Sequence, residues 1–200
     1  MLHVLVGEDD FSIRQSLEQI KKSIGDASAL MTNTTVLDGR QVTLEQLRGA
    51  CGTVPFLSEK RLVIIEGLLE RFDPGGRATK KKSSRKKDRQ DEFKAIADCI
   101  GQLPEFTELV LISGKINDRN PLFRELSAMT KINSFPLLRE PQLRQWIERR
   151  VAGAGGSISP QAVVLLVRFV GSDLWIMANE IDKLILFAGS RRIEEEDYTR

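Results

Sequence analysis

Two apolar runs constrain the fold of this 200-residue chain most: "RLVII" at 61–65 and "ELVLIS" at 108–113. Both are too short for a typical helix, rich in Val, Ile and Leu, and followed by Gly67 and Gly114, which marks them as strands. A strand that is apolar at successive positions has no polar face to give to solvent. It must be covered on both sides, as in a parallel sheet flanked by helices.

The surrounding sequence supplies those helices. "LHVLV" at 2–6 is a first strand. In "DFSIRQSLEQIKKSIG", Ile13, Leu17, Ile20 and Ile24 fall on one helical face, with Asp10 as N-cap and Gly25 as the stop. "TTVLDG" is a short strand and turn. Thr43 with Gln46 opens the next helix as a capping box. Residues 73–91 have Pro, Gly, Lys, Arg and Ser but nothing to build a core, and are expected to form a disordered loop. A helix follows at about 92–103, then the second apolar strand, a helix begun by Pro121, and a last short strand in "KINSFP". Strands alternating with helices predict an α/β domain with a mainly parallel sheet. After Pro136 the strand pattern stops. Three amphipathic helices then carry Leu143, Trp146, Ile147 and Val151; a start at Ser159 and Pro160; and Leu174, Ile181, Leu184 and Ile185. The expected organisation is an α/β domain over 1–138 and a small helical domain over 139–200.

This layout is frequent among proteins that bind nucleoside triphosphates, so the turn after the first strand is diagnostic. A phosphate loop needs GxxxxGK[ST], because backbone amides and a lysine surround the phosphates and a hydroxyl holds magnesium. Starting from Gly7, the required positions hold Ser12, Ile13 and Arg14, and Glu8, Asp9 and Asp10 would repel phosphate. Glu66 sits where a magnesium-linked carboxylate would, but without the loop it reads as a strand-end acid. Other catalytic constellations are missing too. His3 is the single histidine and lies in a strand, so a Ser–His–Asp triad would depend on it. Cys51 and Cys99 have no CxxC spacing and read as ordinary thiols in a reducing compartment. No metal site, cofactor or catalytic residue is expected. No stretch reaches the roughly 18 apolar residues of a membrane helix, so no membrane partner is expected.

Charge is uneven. Residues 77–89, "RATKKKSSRKKDR", hold 8 of the 30 Lys and Arg and 1 of the 28 Asp and Glu, leaving 22 basic against 27 acidic residues elsewhere. Lys80, Lys81, Lys82, Arg85, Lys86 and Lys87 are candidate DNA contacts through phosphate charge. The other reading is a solvated insertion, and no aromatic is present to stack a base.

One segment asks for more than a strand. In "TVPFLSEKRLVIIEG", at 53–67, an apolar cluster precedes the strand and is separated from it by Ser58, Glu59, Lys60 and Arg61. Phe56 and Leu57 either close the bottom of this domain's own sheet or contact a partner. The residues themselves leave both open.

Three patterns in order resemble the delta subunit family of bacterial DNA polymerase III: "VGEDDFSIRQSLEQI" in place of a phosphate loop, "TVPFLSEKRLVII", and "FVGSDLWIMANEIDKLILFAG". The resemblance implies an AAA+-type, P-loop-NTPase-like α/β domain without a functional phosphate loop, followed by a helical lid. It implies a third, C-terminal collar domain that this chain stops short of, through which other clamp-loader subunits assemble. It implies a bacterial cytoplasmic, non-hydrolysing subunit of the polymerase holoenzyme, which meets DNA through the complex. It also implies that Thr53, Val54, Pro55, Phe56 and Leu57 bind the ring-shaped sliding clamp, the beta subunit, and help to hold one of its interfaces open. The alternatives from other classes are a nucleotide-binding phosphotransferase-like protein and a nucleic-acid-binding module built on the basic segment.

Overall fold

The structure, a computed structural model, describes residues 1–74 and 84–198. By its contacts the chain falls into two compact units, Met1–Pro136 and Leu137–Arg200.

The first unit is built on five strands: β1 (Leu2–Gly7), β2 (Thr34–Asp38), β3 (Arg61–Glu66), β4 (Thr107–Ser113) and β5 (Ile132–Phe135). They lie in the order β2-β3-β4-β1-β5, and every pairing is parallel. β3 and β4 occupy interior positions, and their apolar runs are buried as the sequence requires: Leu62 to Ile65 and Leu109 to Ile112 are each at most 9% exposed. Alternate side chains serve opposite faces, the two-residue period of a strand. One face presents Val4, Val6, Val63, Ile65, Leu109 and Leu111. It is covered by α3 (Leu44–Gly52), α4 (Ser84–Gly101) and α5 (Pro121–Met129). The other presents Leu5, Leu62, Ile64, Val110 and Ile112 to Ile13 and Leu17 of α1 (Asp10–Ile24), with Ile20, Ile24 and Leu30 beside them.

The start and stop signals hold with small shifts. The capping box of α3 is formed: Thr43 Oγ1 accepts from the Gln46 amide, and Gln46 Oε1 accepts from the Thr43 amide. The N-cap of α1 is Asp9 rather than Asp10, since Asp9 Oδ1 accepts from Ser12 N–H at 3.1 Å. Asp10 becomes the first helical residue, where its charge still favours the helix N-terminus.

One expectation about a whole segment needs correction. α4 begins at Ser84, not near 92, so residues 84–91 are helix where a loop was expected. Arg, Lys and Gln, which make up most of this stretch, are good helix formers, and no Pro or Gly interrupts them; inability to form a core does not prevent helix extension from a packed C-terminal half. Residues 75–83, including Lys80, Lys81 and Lys82, lie outside the described residues, so the disorder expected there does too. The sequence reading also omitted α2 (Ala27–Asn33), which Asp26 caps by accepting from the Ala29 amide.

The second unit contains α6 (Glu140–Gly153), α7 (Pro160–Val170), α8 (Leu174–Ala188) and the short α9 (Glu195–Tyr198). Its interior is Leu143, Ile147, Val151, Val163, Leu166, Leu174, Met177, Ile181 and Leu184. Ser159 caps α7, with Pro160 at its first turn, and Asp173 caps α8.

Candidate functional site

A parallel sheet has two chemically different edges, and the two sites suggested by the sequence lie on opposite ones. Ligands of open α/β sheets bind at the carboxyl ends of the strands. At that edge, a cleft of about 500 Å³ is lined by Asp10, Arg14, Asp38, Arg40, Glu66 and Glu70, among others.

The turn after β1 does not have the layout of a phosphate loop. The Glu8 and Asp9 amides both donate to Phe135 O, at 3.0 and 3.1 Å, and the Ser12 amide is taken by Asp9. Three backbone donors of this turn are therefore committed within the protein. Glu8 pairs with Lys115 at 3.4 Å. Glu66 pairs with Arg14 at 3.4 Å, the behaviour of a strand-end acid. Gly7 is glycine for a local reason: at φ 152 its backbone lies so close to β5 that a β-carbon would fall 2.0 Å from Phe135 O.

The apolar cluster sits at the amino end of the sheet, between α3 and β3. The last carbonyls of α3 have no partner within the helix, and side chains from the sheet supply them. Arg61 Nε donates to Ala50 O at 2.8 Å, and Thr107 Oγ1 donates to Cys51 O at 2.7 Å. Arg61 Nη2 also donates to Thr35 Oγ1 at 2.7 Å, which binds β2 to the same junction. Thr53 ends the helix, its hydroxyl donating to Gly49 O at 2.6 Å. After the cluster, the Ser58 hydroxyl turns the chain into β3 by donating to Lys60 O at 3.2 Å.

Between these anchors, Val54 is 72% exposed, Phe56 65% and Leu57 90%. Thr53 is exposed and Pro55 half-buried. Phe56 and Leu57 therefore do not close the bottom of their own sheet. The backbone beneath them is held. Asn33, only 2% exposed, accepts from the Phe56 amide at 2.6 Å and donates to Phe56 O at 2.9 Å. Leu57 has φ 49, the one positive φ outside glycine among the described residues. That conformation costs an L-residue roughly 1–2 kcal/mol and persists only where the surroundings impose it. Asn33 was not singled out from the sequence. It lies 23 residues from Phe56 and belongs to a helix with no strong apolar period.

Next to this junction is a polar cluster. Glu108 Oε2 meets His3 Nε2 at 3.1 Å, and Glu108 Oε1 meets Lys60 Nζ at 3.2 Å. Burial pushes the Glu108 carboxyl up, but His3, the amino terminus and Lys60 outweigh it and hold it below the usual glutamate range. His3 is thus a partly buried strand residue with a carboxylate partner. Burial pushes the Cys51 thiol up to about 12 and raises that of Cys99, which makes both poor nucleophiles. Among the described residues no group of three or more His, Cys, Asp or Glu is placed to hold a metal ion. None of their helices is long and apolar enough to cross a membrane. Arg85, Lys86 and Lys87 lie in the first turn of α4.

Comparison with known proteins follows the same line. A family model described as DNA polymerase III, delta subunit, matches residues 3–135. DNA polymerase III subunit delta of Bacillus subtilis (strain 168) is 23% identical over 192 residues, which are 95% of this chain and 53% of that protein. The chain thus spans about half the length of this curated relative. Among solved structures, the Bacillus subtilis DNA clamp loader delta protein YqeN superposes with a TM-score of 0.75 at 21% identity, covering 99% of this chain and 57% of that one. The Thermotoga maritima RuvB Holliday junction branch migration motor superposes with a TM-score of 0.50 at 16% identity, covering 98% and 59%. At these identities the structural likeness is one of fold.

Proposed function

Because the chain belongs to the DNA polymerase III delta subunit family, matched over two-thirds of its length, we propose that it serves a clamp loader in DNA replication by capturing the sliding clamp through the loop Thr53–Leu57. The observation that carries this reading is the exposure of Phe56 and Leu57 on a loop fastened at both ends and in the middle. Large apolar side chains on a mobile loop would fold back onto the protein. Here the backbone holds them in water, at the place where the family resemblance puts the clamp contact.

The energetics are adequate for an anchor. A Phe or Leu side chain moved from water into a partner contributes roughly 1.5–3 kcal/mol, and a few such residues dominate an interface. Pro55 has a fixed φ, which lowers the cost of ordering the loop on binding. Capture opens the ring only if the loop and its surroundings bind the open clamp more tightly than the closed one, since a ligand shifts an equilibrium through differential affinity alone. In this reading the chain does not hydrolyse ATP, and other subunits supply that step. The amides committed at Glu8, Asp9 and Ser12 support it.

The deciding experiment is calorimetric titration of the chain against the sliding clamp encoded by the same genome, wild type beside Phe56→Ala. The variant should bind at least about tenfold more weakly, or roughly 1.4 kcal/mol, while remaining folded. Equal binding by the two proteins would remove Phe56 from the interface. No binding by folded wild type would remove clamp capture from this chain.

A further inference from the structure

We propose that Asn33 is a positioning residue for the clamp-binding loop: it holds the Phe56 backbone so that the Phe56 and Leu57 side chains are set for docking before the partner arrives. This rests on the reading of Thr53–Leu57 as the clamp contact. The geometry is that of one peptide group pairing with another. Asn33 Oδ1 takes the Phe56 amide at 2.6 Å, and Asn33 Nδ2 gives to Phe56 O at 2.9 Å and to Ala29 O at 2.9 Å. The side chain is buried, so its hydrogen bonds are not exchanged for water, and leaving these groups unpaired would be costly.

The arrangement serves the loop rather than the core. Phe56 has no burial of its own to hold it, and its neighbour Leu57 adopts a left-handed conformation that the chain would otherwise leave. Asn33 ends α2 and stands immediately before β2, an edge strand of the sheet. The loop is thereby referenced to the rigid frame. A loop ordered in advance does not have to be ordered on binding, and that saving appears directly in affinity. Asn33 touches no partner in this account; it acts through Phe56.

The test is a double-substitution cycle with Asn33→Ala, Phe56→Ala and the pair, titrated against the same sliding clamp, together with hydrogen exchange at the Phe56 amide. Asn33→Ala should weaken binding about three- to tenfold and speed exchange at Phe56. In the Phe56→Ala background it should cost clearly less, because of the two side chains it sets only Leu57 remains. A structural defect would weaken binding equally in both backgrounds, and that result overturns the proposal, as does unchanged exchange at Phe56. If Asn33→Ala fails to fold, Asn33→Asp takes its place. It keeps the acceptor for the Phe56 amide, so exchange there is not the readout for this variant, but it sets a carboxylate against the Phe56 carbonyl, and the same non-additive loss of binding is expected. Fast exchange in the Asn33 variant with no binding loss from Phe56→Ala overturns the clamp role of both residues. Loss from Phe56→Ala alone overturns only the role of Asn33.

Discussion

Glu108 shows how single residues tie this fold to solution conditions. Its carboxylate is nearly buried and meets His3 and Lys60, and its native pKa lies below the ordinary glutamate value. A carboxyl that holds its proton more weakly in the folded than in the unfolded state adds stability above the unfolded pKa, about 4.3. That contribution fades as pH falls through the lowered native value. Urea denaturation of wild type and Glu108→Gln between about pH 7 and pH 3 should therefore show wild type the more stable at neutral pH and the two curves converging in acid. A constant gap across the range would mean that Glu108 acts by packing alone. At this scale the sequence revealed types but not partners. His3 was legible as a strand residue because a lone histidine has no catalytic company. Its carboxylate lies 105 residues away, beyond any local pattern. Phe56 and Leu57 were legible as a misplaced apolar cluster. Which way they face was not, because apolarity fits a core and a docking surface equally well.

At the scale of elements, the unit from α3 through the loop to β3 works as a bracket. Its helix is set by the Thr43–Gln46 capping box at one edge of the sheet and by Arg61 and Thr107 at the other. Thr43→Ala removes one cap and should cost about 1 kcal/mol of stability, seen as a lower denaturation midpoint. Clamp affinity should change less than about twofold, because the loop end of α3 keeps its own anchors. A large loss of affinity would show that the loop feels the whole helix. The capping box was readable because its signal lies within four residues. α2 was not, because its seven residues carry no amphipathic run. The early start of α4 was missed because charge argues against a core, whereas helix formation depends on backbone propensity. These are different questions, and only the second concerns residues 84–91.

For the whole molecule, the class of fold followed from two strands with no polar face, since only a sheet covered on both sides can hold β3 and β4. The order β2-β3-β4-β1-β5 did not follow, because a crossover leaves the same periodicity whichever neighbour it reaches. The division of labour can still be tested directly. Both core clusters of the sheet domain use only residues from Leu2 to Phe135. The proposed clamp-binding loop, its anchors and Asn33 all lie within Met1–Pro136. A fragment of residues 1–136 should therefore unfold cooperatively in denaturant and bind the clamp within about threefold of the 200-residue chain, or roughly 0.65 kcal/mol. A folded fragment that binds far more weakly would mean that Leu137–Arg200 contributes contacts of its own. Phe56 would then be one anchor among several, and the exposed apolar residues Trp175, Ile176, Leu186 and Phe187 of α8 would be the next to replace.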